Sequence, residues 1–485
     1  MTKELRRLTF IVVAMFLALF ASTSAVQVVQ ADALSEHPNN RRAVLESYEV
    51  QRGSIVAGGS EIATSVPSGD EYAWQRQYAD PLMWSHVTGY VNPELQSVTG
   101  LERSMNQELS GTAASAFFSR IEQIVSGQDP RGSSVELSLD PEVQRAAYVA
   151  MGGLTGGIVA IEPSTGRILA MVSTPGYDTN SLSVHDGSAA EATYQGLLDD
   201  PGQPLQNRAI AGDLNPPGST FKVVVTAAAL ESGRYDENTM IPNPAQYRLP
   251  GSSAIVHNAG GGTCGPGDQV SLADALRLSC NIPMAQVAID LGDAALREQA
   301  EKFGFNHAFE VPLAATESSY PAALDDAQTG LTGFGQGQLV ATPLQIALVS
   351  AGIANGGTVM NPWMVDEVIG EDLSVQQQFE PTEFGQAVDP EIADRIVAMM
   401  TRNVSDGAAS NARIDGVEVA GKTGTAENDG DDPYTLWFTG FAPADDPQVA
   451  VAVVVEDGGG QGQSGTGNTI AAPIAKKVME AVLNQ

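Results

Sequence analysis

The sequence predicts an α+β protein whose main part is an antiparallel sheet with helices on its faces. Strand-like apolar runs occur within residues 135–175 and return within 416–457, whereas helical stretches dominate residues 219–356. A final helical segment follows residue 470. Because strands at both ends enclose a helical middle, we expect the two ends to pair in one sheet that the helices cover.

Composition narrows the functional classes before any motif is considered. The 485 residues are 43% apolar, which is enough for two or three packed domains. The 58 acidic side chains outnumber the 25 basic ones and give a net charge of −33, so the surface repels phosphates and we predict no nucleic-acid partner. The five histidines are scattered and there are only two cysteines. We therefore predict no metal site and no cofactor.

The N-terminus combines a positive flank with an apolar run. Met1–Arg7 carries three basic side chains, and the apolar residues Leu8–Ala21 follow. This order predicts a cytoplasmic N-terminus and an extracytoplasmic remainder. The run could be a cleaved signal peptide with an A-x-A-like site at Ala31–Ala33. It could equally be an uncleaved anchor over Leu8–Gln30, which is long enough to cross a bilayer. The residues alone leave both interpretations open.

Two boundaries divide the rest of the chain. Residues 34–45 are polar and are typical of a linker, and the turn residues at 130–134 mark a second boundary. Between them, short β-like pieces such as YAWQRQYA and HVTGYV accompany a helical GLERSMNQELSG. After the second boundary, two apolar runs joined across Pro163–Gly166 predict a hairpin.

The segment 215–233 carries the first candidate for chemistry. Turn residues precede an apolar helical run that ends at Gly233, so Ser219 should lie in the first turn and Lys222 one turn later on the same face. A serine at a helix N-terminus lies in a positive field with free N–H groups. A partly desolvated lysine has a lowered pKa and can accept the serine proton. A capping serine beside a solvated lysine is the simpler alternative.

Two further patterns complete the candidate site. In VEVAGKTGTAE, a lysine and two threonine hydroxyls on a predicted strand suit a carboxylate, and the glycine between the hydroxyls permits close backbone approach. The alternative is an edge strand with a protective lysine. Ser279 and Asn281 follow a helical segment and offer a proton relay and an amide from one side of a loop. The same S-x-N spacing at Ser104–Asn106 is attributed to a surface helix.

The two cysteines predict one disulfide, between Cys264 and Cys280. Both lie on the extracytoplasmic side of the apolar segment, where thiols oxidise. A Gly-rich loop followed by a short helix, beginning near Ser271 with Asp274 in a capping-box-like position, can bring their Cα atoms within the ~6 Å that a disulfide requires. Two buried free thiols are the alternative.

The order of the motifs carries a family resemblance. S-x-x-K and K-T-G each occur once, with S-x-N between them, and this set resembles the penicillin-binding proteins and serine β-lactamases. RGSIV, GLERSMN, LDPEVQRAA, PSTGRILAMVSTPGYD, GFGQGQLVATPLQIA and LWFTGFAP resemble class B penicillin-binding proteins. NNRRAVLESYEVQRGSIV resembles specifically the actinobacterial penicillin-binding protein A group of transpeptidases. The resemblance extends over essentially all residues after the apolar segment.

This resemblance implies a domain order and a location. Residues 1–33 would be a cytoplasmic stub and an uncleaved transmembrane anchor. Residues 34–134 would form an elongated mixed α/β pedestal, similar to the penicillin-binding protein dimerisation domain. Residues 135–485 would form a transpeptidase domain of the penicillin-binding/serine β-lactamase type. The protein would be a single-pass membrane protein with a cytoplasmic N-terminus and an extracytoplasmic catalytic domain.

The resemblance also implies a role for each motif residue. Ser219 would be the acylated nucleophile and Lys222 its general base, while Ser279 and Asn281 would shuttle the proton and hold the peptide. The group that binds the terminal carboxylate would consist of Lys422, Thr423, Gly424 and Thr425. The backbone N–H groups of Ser219 and Thr425 would form the oxyanion hole. The sequence departs from the family pattern in the middle residue of S-x-N, which is Cys280.

The implied activity is that of a peptidoglycan D,D-transpeptidase that β-lactams inhibit covalently. Its partners would be stem peptides on lipid-linked precursor strands and a SEDS-type glycan polymerase, because no glycosyltransferase domain fits before residue 130. A D,D-carboxypeptidase remains open, as does a catalytically idle scaffold or sensor. A serine β-lactamase is disfavoured because the class A pattern Glu-x-x-x-Asn is absent between Asn281 and Lys422. A non-enzymatic adhesion module would make the motifs coincidental. Elongation and division roles are both open.

Overall fold

The computed structural model describes residues 2–26, 50–70, 72–113, 131–212, 214–428 and 430–485. The A-x-A-like site at 31–33 and the predicted linker at 34–45 lie outside the described residues.

The chain begins with a long apolar helix, α1 (Thr2–Ser24). Its segment Arg6–Ser24 has a mean hydropathy of 1.8 and none of it is buried against the rest of the protein. Within the described part of the chain it is the one helix that is long and apolar enough to cross a membrane.

The strands after α1 are β1 (Ile55–Ala57), β2 (Ser60–Pro67), β3 (Trp74–Tyr78), β4 (Val91–Asn92), β5 (Ser97–Val98), β6 (Ser134–Leu137), β7 (Gly156–Ile161), β8 (Ile168–Thr174), β9 (Met240–Pro242), β10 (Tyr247–Arg248), β11 (Ile255–Val256), β12 (Gln269–Ser271), β13 (Thr358–Met360), β14 (Val365–Ile369), β15 (Val375–Gln378), β16 (Glu383–Gln386), β17 (Ala420–Ala426), β18 (Thr435–Ala442) and β19 (Val449–Val455).

The helices are α2 (Pro81–Thr88), α3 (Gly100–Ser104), α4 (Asn106–Leu109), α5 (Pro141–Met151), α6 (Thr179–Leu182), α7 (Gly187–Leu198), α8 (Lys222–Glu231), α9 (Leu272–Arg277), α10 (Asn281–Leu291), α11 (Asp293–Lys302), α12 (Asp326–Thr332), α13 (Pro343–Ala354), α14 (Pro390–Asp406) and α15 (Ala471–Leu483).

The central sheet confirms the predicted pairing of the two ends of the large domain. Its strand order is β17-β18-β19-β7-β8, and every neighbouring pair is antiparallel. All seven residues of β19 are buried because helices cover both faces. Val451 packs with α5 and α15 on one face, whereas Ala452 packs in the core that contains α13 on the other. The strand therefore appears in the sequence as a continuous apolar run.

A second sheet, which we call the pedestal sheet, has the strand order β15-β14-β6-β1-β2-β3. Strand β1 pairs with β6 in parallel, and β6 pairs with β14 in antiparallel orientation. Residues 365–378, far beyond the boundary predicted at 130–134, therefore share a sheet with residues 55–78. Local sequence patterns carry no information about such long-range pairing, so this sheet was not predicted.

The HVTGYV piece is a helix end rather than a strand. His86–Thr88 belong to α2, which starts at Pro81, and a two-residue strand begins only at Val91. Proline favours the first position of a helix. Val87 and Thr88 are fully buried, so packing overrides their preference for strands.

Candidate active site

Ser219 lies in a short turn of 3₁₀-helix, Gly218–Phe221, which continues directly into α8 at Lys222. Gly218 has a φ of +55°, and a Cβ there would come within 3.2 Å of the backbone nitrogen of Ala426 in β17. A glycine at this position therefore allows the turn to lie against the strand. The predicted spacing of one turn holds, because the Lys222 amine reaches the Ser219 hydroxyl at 2.9 Å.

The Lys222 side chain is fully buried and contacts two of the three predicted motifs. Besides Ser219 Oγ, its Nζ lies 2.8 Å from Asn281 Oδ1 and 2.7 Å from the Ser279 carbonyl oxygen. Burial lowers the Lys222 pKa well below its ordinary value, and the positive charge of Lys422 lowers it further. A neutral amine has the lone pair needed to accept the Ser219 proton, whereas an ammonium group only donates.

Ser279 connects the two buried lysines. Its Oγ lies 2.7 Å from Lys422 Nζ and 3.3 Å from Lys222 Nζ. Lys422 also donates to the carbonyl of Thr423 at 2.8 Å. Burial lowers the pKa of Lys422 to about 7. The hydroxyl thus lies in a continuous chain of hydrogen bonds along which a proton can pass between the two amines.

An unusual backbone conformation orients Ser279. It lies between α9 and α10 with a φ of +62°, in the left-handed region that non-glycine residues seldom adopt. The next helix, α10, begins at Asn281 and receives no side-chain cap from Cys280. Asn258 supplies that cap: its Oδ1 accepts from the backbone nitrogens of Asn281 (3.0 Å) and Ile282 (3.1 Å).

Sequence analysis did not identify Asn258. It lies 23 residues before Asn281, just ahead of a Gly-rich loop, and no local pattern connects it to a helix start. The neighbouring carbonyl of His257 accepts from Asn281 Nδ2 at 3.0 Å. Asn281 is therefore held through both its backbone and its side chain, which directs Oδ1 towards Lys222.

The structure contains a disulfide between Cys264 and Cys280, the pair that the cysteine count predicts, with Cα atoms 5.5 Å apart. Asn243 holds the Cys264 end of the disulfide in place. Its Nδ2 donates to the Cys264 carbonyl and its Oδ1 accepts from the Cys264 nitrogen, each at 2.9 Å. The helix start predicted near Ser271 is also present, with its hydroxyl accepting from the Asp274 nitrogen at 3.1 Å. The crosslink therefore ties the S-x-N segment to the Gly-rich loop.

Strand β17 presents its motif residues on two faces. Lys422 is fully buried and points towards Ser279. Thr423 and Thr425 lie on the opposite face, since side chains alternate along a strand. The hydroxyl of Thr425 accepts from the Gly467 nitrogen at 3.2 Å. A Cβ at Gly424 would lie 2.9 Å from the carbonyl oxygen of Pro217, so the strand and the serine turn approach each other backbone to backbone.

A serine beside a buried lysine, with a second lysine on a neighbouring sheet strand, is the arrangement expected from the motifs. Residues 156–480 match the penicillin binding protein transpeptidase domain, and residues 52–135 match the penicillin binding protein A dimerisation domain. The chain belongs to the penicillin-binding protein transpeptidase family.

Among its relatives, the chain is 40% identical to the peptidoglycan D,D-transpeptidase PbpA of Mycolicibacterium smegmatis, over 100% of both chains. It is 39% identical to the protein of the same name from Mycobacterium tuberculosis, over 100% of this chain and 99% of that one. The ceftriaxone acyl-enzyme structure of penicillin-binding protein A from M. tuberculosis covers 90% of this chain and 100% of its own. It superposes with a TM-score of 0.87 at 40% identity.

Proposed function

We propose that this protein is a membrane-anchored peptidoglycan D,D-transpeptidase in which Ser219 is the nucleophile and Lys222 the general base. The observation that supports these roles most directly is the 2.9 Å contact between the Ser219 hydroxyl and the buried amine of Lys222, whose pKa is lowered. Burial favours the neutral form of the amine, and in that form it can take the hydroxyl proton as the new bond forms.

In the first half-reaction, Ser219 Oγ attacks the carbonyl carbon of the penultimate D-Ala of a donor stem peptide. The serine proton passes to Lys222, and the C–O bond forms as the C–N bond to the terminal D-Ala breaks. Ser279 lies within hydrogen-bond distance of both lysines, so it can return a proton to the departing amine. The products of this step are an acyl-enzyme and free D-Ala.

In the second half-reaction, an amine of an acceptor stem peptide attacks the Ser219 ester. Lys222, directly or through Ser279, accepts the amine proton and returns it to Ser219 Oγ as the ester C–O bond breaks. The new amide crosslinks the two peptides and regenerates the hydroxyl. A β-lactam would acylate Ser219 by the first step alone, with its ring amide as the bond that breaks.

Strand β17 would hold the substrate along its length. Lys422 supplies positive charge on the face of β17 that carries Ser279 and the serine turn. The backbone of Gly424 and the hydroxyls of Thr423 and Thr425 add hydrogen-bonding groups along the same strand, so this segment suits the terminal carboxylate. The N–H groups of Ser219 and Thr425 would bind the oxyanion. Asn281 would hold the peptide backbone.

The location follows from α1 and its charges. Lys3, Arg6 and Arg7 lie in the first two turns of α1, before its apolar residues, which favours a cytoplasmic N-terminus and an extracytoplasmic catalytic domain. We keep the division into an anchor (1–33), a pedestal (34–134) and a transpeptidase domain (135–485). N-terminal sequencing of the mature protein tests the anchor, since a start at Leu34 would mean a cleaved and released protein.

The glycan strands that carry the stem peptides would be made by a partner, for which a SEDS-type polymerase in the same membrane is our proposal. Copurification of the full-length protein with such a polymerase from membranes is the test. Recovery of the protein without any polymerase from cells that express both would contradict it.

Covalent labelling tests the nucleophile. Ser219→Ala should abolish labelling by a fluorescent penicillin while the melting temperature stays close to that of the wild type. Ser104→Ala is the matched control, because it changes an exposed serine of the other S-x-N sequence. Full labelling of Ser219→Ala would refute the assignment. Analysis of products from lipid-linked precursors then separates crosslinked peptides from peptides trimmed by a carboxypeptidase.

A further inference from the structure

The segment Gly333–Gly337, with the sequence GFGQG, contacts all three elements that carry the catalytic motifs. We call it the 333–337 loop. It follows α12 and is held to the end of that helix, since the backbone nitrogens of Gly335 and Gln336 donate to the carbonyls of Thr332 (3.0 Å) and Leu331 (3.0 Å). The proposed chemistry assigns no role to this loop.

The first contact is with α10, the helix that begins at Asn281. A Cβ at Gly333 would lie 2.7 Å from the carbonyl oxygen of Met284 and 2.8 Å from Ala288 Cβ. These distances are too short for any side chain larger than hydrogen. The loop therefore packs directly on the backbone of α10, and any shift of one displaces the other.

The second contact is with the turn that contains the nucleophile. The backbone nitrogen of Gly218 donates to the carbonyl of Gly335 at 2.9 Å. Gly335 has a φ of +78°, and a Cβ there would lie 1.8 Å from the carbonyl oxygen of Gly218. Gly218, the residue before Ser219, is thus held to the loop by a backbone hydrogen bond, with no room for a side chain at Gly335.

The third contact is with the end of β17. The Gln336 side chain lies beside the backbone of Glu427, the first residue after the strand. With its amide oriented by these groups, its nitrogen donates to the Glu427 carbonyl at 3.1 Å and its oxygen accepts from the Glu427 nitrogen at 3.0 Å. The pairing of β17 with β18 ends at Ala426. The two hydrogen bonds from Gln336 therefore hold the next residue of the chain, which β18 does not.

We infer that Gln336 is a positioning residue for acylation: it fixes the end of β17 relative to the turn that holds Ser219. The inference rests on the proposed function, in which the N–H groups of Ser219 and Thr425 bind the oxyanion. Thr425 lies two residues before Glu427, and Gly218 immediately precedes Ser219. One five-residue loop therefore sets the spacing of both donors through the Gly335 carbonyl and the Gln336 amide.

Gln336→Ala removes both hydrogen bonds to Glu427 and leaves the Gly335 contact in place. Because a displacement of about 1 Å in a reacting group can cost on the order of 10²-fold in rate, we expect acylation to slow by about 10- to 100-fold. The dissociation constant of the reversible complex that precedes acylation should change by less than about threefold, since binding depends less on oxyanion geometry. Gln338→Ala is the matched control, because Gln338 is an exposed glutamine two residues further on.

Gln336→Glu gives a readout that a purely structural role would not produce. A charged carboxylate can accept from the Glu427 nitrogen but repels the Glu427 carbonyl. A protonated carboxyl group donates to that carbonyl and so reproduces the amide. An ordinary glutamate titrates near pH ~4.3, and the adjacent carbonyl favours its protonated form. The ratio of the variant's acylation rate to that of the wild type should therefore rise at least threefold between pH 7.5 and pH 5.

The measurement is stopped-flow acylation of the purified chain by a fluorescent penicillin, with the wild type, Gln338→Ala and Ser219→Ala in parallel. Acylation of Gln336→Ala within threefold of the wild type overturns the inference, as does a Gln336→Glu ratio that stays constant with pH. If Ser219→Ala is inactive while Gln336→Ala is normal, only this inference fails. If Ser219→Ala still labels fully, the proposed function fails instead.

Discussion

The region that we propose as a pedestal and the candidate active site each bury two basic side chains, but the neighbours of these groups differ in charge. In the pedestal, Arg52 and Arg76 are 5% and 4% exposed and both bond the fully buried Glu102. Arg52 Nε lies 2.9 Å from Glu102 Oε2, and Arg76 Nε lies 2.5 Å from Oε1. Burial raises the pKa of Glu102, but the charges of the two arginines outweigh it and lower the pKa overall.

In the active site, Lys222 and Lys422 are equally buried but contact neutral groups. Their hydrogen-bond partners among the described residues are hydroxyl, amide and carbonyl oxygens, with no carboxylate. Burial therefore lowers the pKa of both lysines. The absence of a counter-charge at this position makes an amine available as a base.

The difference between the two clusters follows from the choice of arginine in one and lysine in the other. An arginine keeps its proton at any accessible pH, so a buried arginine needs a carboxylate and holds its neighbours in place. A buried lysine can instead lose its proton, at a cost in stability. A substitution in the arginine cluster should therefore lower the free energy of unfolding, whereas a substitution in the lysine cluster should lower the rate of acylation.

The largest effect expected is on catalysis. Lys222→Ala removes the proposed general base and should slow acylation by about 10²–10⁴-fold, with a much smaller change in the affinity of the reversible complex. Single-turnover labelling over a range of fluorescent penicillin concentrations separates the two quantities. Lys302→Ala, at a half-exposed lysine on α11, is the control. Acylation of Lys222→Ala within tenfold of the wild type would show that another group is the base.

Glu102→Gln should destabilise the pedestal without changing the chemistry. It leaves two buried guanidinium groups without their counter-charge, and breaking a buried pair costs about 3–5 kcal/mol. Asp80→Asn is the matched control, because it breaks an exposed ion pair with Arg145 and should cost about 1 kcal/mol or less. Urea unfolding measures both variants. A Glu102→Gln protein as stable as Asp80→Asn, or one that is folded but acylates slowly, would contradict this contrast between the two clusters.

Cys264→Ser should weaken both folding and acylation, because the disulfide belongs to the loop that presents Ser279 and Asn281. Opening a loop of this length, closed by cysteines with a sequence separation of 16, costs about 3 kcal/mol in the chain-entropy model. Thermal unfolding and acylation rates are the measurements. A reductant should slow the wild type and leave the variant unchanged. A lower melting temperature with unchanged acylation would show that the disulfide stabilises the fold but does not position Ser279 and Asn281.

The last prediction concerns the pH dependence of acylation in the unmodified protein. If Lys222 is the base, as proposed, it acts only when neutral, and a lysine is neutral above its pKa and protonated below it. The rate should therefore rise with pH and then level off, falling by about tenfold per pH unit on the acidic side. The pKa of Lys422, about 7, places the titration of the second lysine in the neutral range.

Asp80→Asn should show the same pH profile as the wild type, because its carboxylate lies in the exposed pair with Arg145. A rate that stays flat from pH 5 to pH 9 would mean that no lysine titrates in the acylation step.

The two pairs of residues in the proposed catalytic group differed in how well their contacts could be predicted. Ser219 and Lys222 are three residues apart on consecutive helical turns, so their contact is a local property that the S-x-x-K spacing predicts. Lys422 and Ser279 are 143 residues apart, and only the family resemblance brought them into one site. Asn258 and Gln336 belong to no local chemical pattern, so their contacts emerged only from the tertiary structure.

The pedestal sheet likewise combines a strand that the sequence predicted with pairing partners that it did not. The strand alternation near residue 135 was visible in the sequence, but β6 pairs with β1 on one side and β14 on the other, more than 200 residues later. A strand's period indicates which residues share a face but not which strand is its neighbour.

The sequence by itself determined the elements with local causes: the apolar first helix, the β7–β8 hairpin, the serine one turn before a lysine, and the cysteine pair. Each depends on spacing, turn residues or counts within a short stretch of chain. Only the tertiary structure decided the state of the lysines and the position of the strand beside the nucleophile. Burial sets a pKa, and burial depends on which distant segments pack around an amine. The same packing places the 333–337 loop between Ser219 and β17.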